Sequence, residues 1–340
     1  MMNSGLQNAA TFISGHPKSG TSLIMTLLDS HPQLVVYPEE TGFFRQFACR
    51  TADFPLETRF HLAEELLIHI FNWDPKDPHP SQANLLDRDY SDVSFENVQE
   101  AFYRQLDSLD KKHPNILTAA ILAFGEASGQ LSPNTIRWVE KTPHNEHHAD
   151  KIFAWWSKAR CIHIVRDPRD NYASYRQKHP EWGPEYFAVS WRSSIHRGWA
   201  NQKRYGSQNY LIIRYEDLVT NLESTLAVVR DFLGIRDDPI LRQPTRNGRS
   251  WRGNSMFGDR FEGVSAKPVG RFRQTLDPAI VTRLEAALFP EMRQLRYPLE
   301  NPVSPLAWFI WTGYRSRRVL NNLLGNFIRR GNNRVQEDRK

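Results

Sequence analysis

The segment Gly15-His16-Pro17-Lys18-Ser19-Gly20-Thr21-Ser22 lies between an apolar run and a helical pattern. A strand that feeds a helix through a Gly-rich loop aims successive backbone N–H groups and the helix N-terminus at one point, which makes an anion cradle. Gly15 and Gly20 let the backbone come close to the anion, Lys18 adds a full positive charge, and Thr21 and Ser22 add hydroxyl donors. The loop fits GxxxxG but fails the full pattern of nucleotide triphosphatases, which need Lys and then Ser or Thr directly after the second Gly. Thr21 occupies that lysine position, and the lysine sits earlier, at 18. The displacement speaks against ATP or GTP hydrolysis and weakens the case for magnesium.

A second anion site is expected at the end of the strand Cys161–Val165, because ligands of open α/β sheets gather at the carboxyl ends of strands. Arg166 stands there, followed by Asp167-Pro168-Arg169-Asp170 and a helix whose second turn carries Ser174. A guanidinium and a hydroxyl so placed suit a phosphate; the competing reading is an Arg–Asp network on a capped helix. Glu39-Glu40 follows another strand. Adjacent side chains of an extended segment point opposite ways, so at most one of these carboxylates faces the crevice, as a general base or as a helix-start acid. Val139-Glu140-Lys141-Thr142-Pro143 ends a further strand and carries Lys141. His144, Asn145, His147 and His148 come next, irregularly spaced and without an apparent thiolate or acidic partner set, so they read as solvated or substrate-facing, and no metal is expected.

Two of these motifs resemble one family. PKSGTS with its helix and DSHP stop, and VRDPRDNYASY with Arg and Ser eight positions apart, are similar to the paired signatures of the sulfotransferases that use 3′-phosphoadenosine 5′-phosphosulfate (PAPS). The resemblance runs from Phe12 to about Leu276 and implies a P-loop-like three-layer α/β sandwich. It gives Lys18, Ser19, Gly20, Thr21 and Ser22 to the 5′-phosphate and sulfonate of PAPS, and Arg166 and Ser174 to its 3′-phosphate. A C-terminal loop of the family closes over the nucleotide, which points to Lys267 and Arg271, with Ser265 beside them. Tyr215, in a tyrosine motif similar to the family's, either contacts the donor or forms a structural corner. EET resembles tyrosylprotein sulfotransferases, and a Glu three positions before a Phe-Phe pair resembles the heparan type. Both imply Glu40 as the base, whereas counting from the first loop lands on Glu39. The family's lysine near Lys141 implies a donor to the bridging oxygen as charge builds there. There is no histidine motif of the cytosolic steroid and phenol type. The expected reaction is sulfonate transfer from PAPS to a hydroxyl or amine of a glycan, lipid-linked glycan, peptide tyrosine or small metabolite. The rivals are a P-loop kinase or NTPase and a non-catalytic anion-binding module.

The elements that must hold these residues alternate between short apolar runs and helical patterns, which argues for a parallel α/β sheet. Strands are expected at Thr11–Ser14, Leu34–Tyr37, Thr135–Val139, Cys161–Val165 and Tyr210–Arg214. Helices are expected from Gly20 to about Ser30, through most of 56–130 with a break near Pro75–Pro80, at Pro184–Tyr205 and at Asn221–Gly234. Residues 236–275 read as an irregular basic stretch followed by two helices. Residues 1–300 read as one domain and 301–340 as a C-terminal helix with a disordered tail. Residues 304–330 pack as a helix or lie on an anionic membrane as an amphipathic one. The chain has 340 residues, 40% hydrophobic and 24% charged, with a net charge of +6. That charge suits an anionic ligand but is too mild to imply nucleic acid. Two cysteines and no basic, apolar leader at the start lead to the expectation of a cytoplasmic protein without disulfides.

Overall fold

Strands buried on both faces read as near-continuous apolar runs, and such runs form the centre of this protein. In a computed structural model, described over residues 5–71, 90–109 and 113–301, five of them pair in parallel. They are β1 (Ala10–Ser14), β2 (Leu34–Val36), β3 (Arg137–Lys141), β4 (Arg160–Val165) and β5 (Tyr210–Arg214), in the order β2-β3-β1-β4-β5. A parallel sheet needs long crossovers. These hold α1 (Thr21–Leu28), α2 (Leu56–Phe71), α3 (Phe95–Ser108), α4 (His113–Ala127), α5 (Ala149–Trp155), α6 (Pro168–Arg176) and α7 (Pro184–Tyr205). After β5 come α8 (Tyr215–Thr220), α9 (Leu222–Leu233), α10 (Phe272–Thr275) and α11 (Pro278–Gln294).

The strands send alternate side chains to opposite faces. On one face Phe12, Trp138, Cys161 and Tyr210 join Phe102, Phe124 and Trp156. On the other Ile13, Val139, Ile162 and Ile213 join Leu23, Ile24, Leu27 and Val229. A third cluster, built from Tyr172, Phe187, Trp191, Leu284 and Met292, packs α6, α7 and α11 together beside the carboxyl end of β4. The result is the expected helix–sheet–helix sandwich. Cys49 and Cys161 are both free thiols, and burial raises the pKa of Cys161.

Four local differences separate the structure from the sequence reading. β3 starts at Arg137 rather than Thr135, because Ser132–Thr135 closes a turn with Thr135 N–H donating to the Ser132 carbonyl at 3.0 Å. β3 also runs on through Glu140 and Lys141, which pair with Phe12 and Ile13 of β1 and so bring charge into the sheet. Phe43–Ala48 forms a π-helical turn that carries no local signature, and Gly42, with φ 59°, opens it. The stretch read as irregular contains a hairpin, β6 (Thr245–Arg246) and β7 (Arg249–Ser250), docked on the end of α1. There the buried Asp29 carboxylate accepts from Thr245 Oγ1 at 2.8 Å and Gly248 N–H at 3.0 Å. The Pro75–Pro80 break, the 304–330 helix and the terminal tail lie outside the described residues. No helix among the described residues is long and apolar enough to cross a membrane.

Candidate active site

The first loop is built from close approaches. Gly15 has φ 140° and Gly20 φ 104°, backbone that disfavours any side chain. A Cβ on Gly15 would strike the carbonyl of Ile164, and one on Gly20 would strike the Tyr215 ring. The Ser19 N–H closes the turn onto the His16 carbonyl at 3.1 Å, and α1 begins at Thr21. The loop's Lys18, Gly20, Thr21 and Ser22 all line one cleft of about 660 Å³. Ser19 is buried behind them, its hydroxyl without a hydrogen-bond partner. Ser22 Oγ accepts from the Asn254 amide at 3.4 Å.

Arg166, at the end of β4, meets that loop directly. Its Nη1 donates to the Lys18 carbonyl at 3.1 Å and to Ser174 Oγ at 3.3 Å, and its Nη2 donates to the Pro268 carbonyl at 3.1 Å. The guanidinium stands 4.7 Å over the Tyr215 ring. Tyr215 therefore sits between the two anion sites, against both Gly20 and Arg166. Arg166 Nε is buried and unpartnered. A buried guanidinium N–H without an acceptor is a costly arrangement that an anion would relieve. The cradle glycines, the Ser19 hydroxyl and this N–H fit the phosphates of PAPS. The Arg–Asp network expected as the rival reading of the motif is also present, but through Arg169, paired with Asp167 at 2.6 Å and with Glu285 at 2.5 Å.

The loop at 265–271 closes against the same point. Asp170 holds it, accepting from Gly270 N–H at 2.6 Å and from Phe272 N–H at 2.9 Å. Burial raises the pKa of Asp170 and the nearby Arg166 opposes the rise. Ser265 and Arg271 line the cleft. Arg271 is fixed by Asp259 at 2.6 Å and stacks 4.7 Å from the Phe257 ring. Lys267 is apart from the lining: its ammonium is 3.0 Å from Asp259, with 69% of the side chain exposed.

The adjacent glutamates separate as the extended segment requires. Glu39 is buried, accepting from Tyr90 Oη at 2.8 Å and pairing with the buried Arg246 at 3.1 Å. Glu40 lines the cleft with 50% of its side chain exposed, its carboxylate 2.6 Å from the Lys141 ammonium, which is 5% exposed. Lys141 thus reaches the cleft through Glu40. Beneath them Glu140 ties the strand ends together, accepting from Thr41 at 2.8 Å, Thr142 at 2.5 Å and Asn145 at 2.6 Å. Burial raises its pKa against those hydrogen bonds.

The histidines after β3 do have an acidic partner, contrary to the sequence reading. Glu146 is fully buried, 3.6 Å from His144 and 3.9 Å from His147, and the ligand atoms of the three lie within 4.8 Å of one another. Both of its carboxylate oxygens already accept hydrogen bonds, from Gly15 N–H at 3.2 Å and Ser194 Oγ at 2.5 Å. Burial alone would raise its pKa, but hydrogen bonds from His144 and Ser194 and the nearby His163 outweigh it and hold it at about 2. Glu146 anchors the first turn of the phosphate loop, and His144 lines the cleft above it. Glu140, Glu146 and Asp170 were missed from the sequence. Nothing local to them gave a signal, because each acts through a partner from far along the chain: Thr41 for Glu140, Gly15 for Glu146 and Gly270 for Asp170. Trp251 and Phe261, which also line the cleft, were hidden in the basic stretch.

Among curated proteins none matches the chain. Among solved structures, the sulfotransferase domain from the curacin biosynthetic pathway superposes with a TM-score of 0.52 at 18% identity, covering 85% of this chain and 98% of that one. The sulfotransferase domain from the Synechococcus PCC 7002 olefin synthase gives a TM-score of 0.43 at 18% identity, covering 93% and 98%. Retinol dehydratase, in a complex with androsterone and the inactive cofactor PAP, gives 0.37 at 16%, covering 88% and 84%. The first of these shows the fold. The model of the sulfotransferase family matches residues 10–239, which takes in all five strands of the sheet and both anion motifs. The chain belongs to the sulfotransferase family, enzymes that take their sulfonate from PAPS.

Proposed function

We propose that the protein transfers the sulfonate of PAPS to a hydroxyl or amine of its acceptor by in-line displacement, with Glu40 as general base. The observation that carries this reading is convergence: Lys18, Gly20, Thr21 and Ser22 of the loop, Arg166 with Ser174, Arg271 and Glu40 all line one cleft. Arg166 and Ser174 hold the 3′-phosphate, and the loop N–H groups with Lys18, Thr21 and Ser22 hold the 5′-phosphate and sulfonate. Glu40 receives the proton that the acceptor loses as its oxygen or nitrogen bonds to sulfur. The sulfur–oxygen bond to the 5′-phosphate breaks, and adenosine 3′,5′-bisphosphate (PAP) leaves with that electron pair. Lys18, in the cleft beside the leaving group, offsets the charge that builds on the bridging oxygen. Lys141 fixes the Glu40 carboxylate in position.

The test is calorimetry with PAP, AMP and ATP on the parent and on Arg166→Ala. A charge-assisted contact of this kind is worth about 1.5–3 kcal/mol, so PAP affinity falls about tenfold to a hundredfold in the variant while AMP affinity holds. Equal parent affinity for PAP and ATP, or an equal loss of AMP binding in the variant, overturns the assignment.

A further inference from the structure

Beyond the donor, the cleft has a second chemistry. PAPS is met by Lys18, Arg166 and Arg271, but Arg45 and Lys178 line the same cleft, and both are exposed. Among the described residues neither forms an ion pair. Glu40 is the single carboxylate among the described residues lining the cleft, and Lys141 already balances it. Glu181 lies 3.4 Å from His179 but outside the lining.

The wall that carries Lys178 is aromatic and rigid. Tyr175, His179 and Trp182 pack within 5.2 Å of one another, the last two rings stacked at an interplanar angle of 29°. The Trp182 carbonyl accepts from Tyr172 Oη at 3.0 Å, which fixes the turn. Behind the wall the buried His16, 5.3 Å from Tyr175 and 5.7 Å from His144, ties it to the cleft-lining His144 that follows the strand end carrying Lys141. The wall therefore belongs to the side of the cleft where the acceptor meets the base.

From this we infer that the acceptor is an anion carried on a ring: a face of the ring lies against Trp182 and Tyr175, and its negative group meets Arg45 and Lys178. Ring faces stack on aromatic side chains, and unpaired cations at a rim select an opposite charge. An acidic sugar and an acidic phenol share this chemistry. The inference rests on the donor reading above.

Two probe pairs separate the sources. 4-Nitrophenyl β-D-glucuronide is compared with 4-nitrophenyl β-D-glucoside, and 4-hydroxyphenylacetate with 4-hydroxyphenylacetamide. Binding to the PAP-loaded protein is measured by calorimetry, and turnover with PAPS by mass spectrometry. In at least one pair the acidic member binds about tenfold more tightly than its neutral partner, and that preference falls to about twofold in Arg45→Ala/Lys178→Ala. Which pair shows it identifies sugar or phenol. Neutral probes binding as well as acidic ones, no binding by either pair, or a preference that survives the double substitution overturns the inference. PAP affinity is read on the same samples. Normal PAP binding without acid preference overturns this inference alone. A parent that does not bind PAP overturns the donor reading with it, and a double variant that loses PAP assigns the two cations to the donor instead.

Discussion

Glu39 and Glu40 are one residue apart and live in opposite environments, so their substitutions separate stability from catalysis. Glu40→Gln keeps shape and hydrogen bonding but cannot take a proton. A positioned general base contributes about 10²–10⁴-fold, so turnover falls by that order while PAP affinity holds, and the melting temperature falls less than in Glu39→Gln because Glu40 is half exposed. Glu39→Gln leaves the buried Arg246 guanidinium facing a neutral amide. Breaking one side of a buried pair costs about 3–5 kcal/mol, so the variant melts far lower, yet the fraction that remains folded turns over near the parent rate. Single-turnover kinetics and thermal melts on both variants check this. A stable, inactive Glu39→Gln moves the base one residue back, and full activity in both moves it to His144. Strand alternation in the sequence said only that at most one of the two glutamates faces the cleft, not which. It was silent on Glu39's partners, because Tyr90 and Arg246 arrive from segments far along the chain.

Between residues and the whole chain stands the 265–271 loop that closes against the cleft, and its landing point is Asp170. That carboxylate receives two loop N–H groups, from Gly270 and Phe272. Asp170→Ala frees both, so the segment around Pro268 that accepts from Arg166 loosens. PAP affinity is expected to fall about tenfold, the effect of two charge-assisted hydrogen bonds partly offset by solvent. Limited proteolysis should cut within 252–270 in the variant and be suppressed in the parent by saturating PAP. A variant whose PAP affinity and cleavage match the parent would show that the loop closes without Asp170. The elements of the sheet were legible because burial on both faces imposes apolar runs, and the Pro184–Tyr205 helix because proline and glycine mark its ends. The 43–48 π-turn and the short hairpin at 245–250 were not, since their hydrogen bonds depend on Gly42 geometry and on Asp29 from another element. In the site, the residues proposed to meet the donor were picked out by motif spacing and the resemblance, and all of them except Ser19 and Lys267 line the cleft. The carboxylates that position them were not picked out, because each acts through a partner distant in sequence.

For the molecule as a whole, the buried ionisable groups set its response to acid. His16 touches Asn171 of α6 at 3.0 Å and Ser190 of α7 at 3.2 Å, and burial, with His144 nearby, lowers its pKa to about 4 from the ordinary 6.5. Unfolded, it takes up a proton below about 6.5; folded, it refuses one until about 4. Stability therefore drains away as pH falls through that window, and above it His16 is neutral in both states. His163 and His31, both lowered chiefly by burial, push the same way. Asp29, Glu140, Asp170 and Glu216 are raised by burial and push oppositely, because the folded state then takes the proton first. Glu146, held at about 2, stabilises the fold above the ordinary 4.5 and loses that contribution only as pH falls from there toward 2. The parent's own profile mixes these signs, but a difference against His16→Gln isolates one of them. Urea unfolding at pH 7 and pH 5 gives the stability gap between parent and variant. Between those two pH values the gap shifts against the parent by about 2 kcal/mol, since each unit of pH over which one state alone binds a proton is worth about 1.4 kcal/mol. A gap that stays constant would mean that His16 protonates equally in both states, and the packing of the phosphate loop onto α6 and α7 would then have to admit a charge.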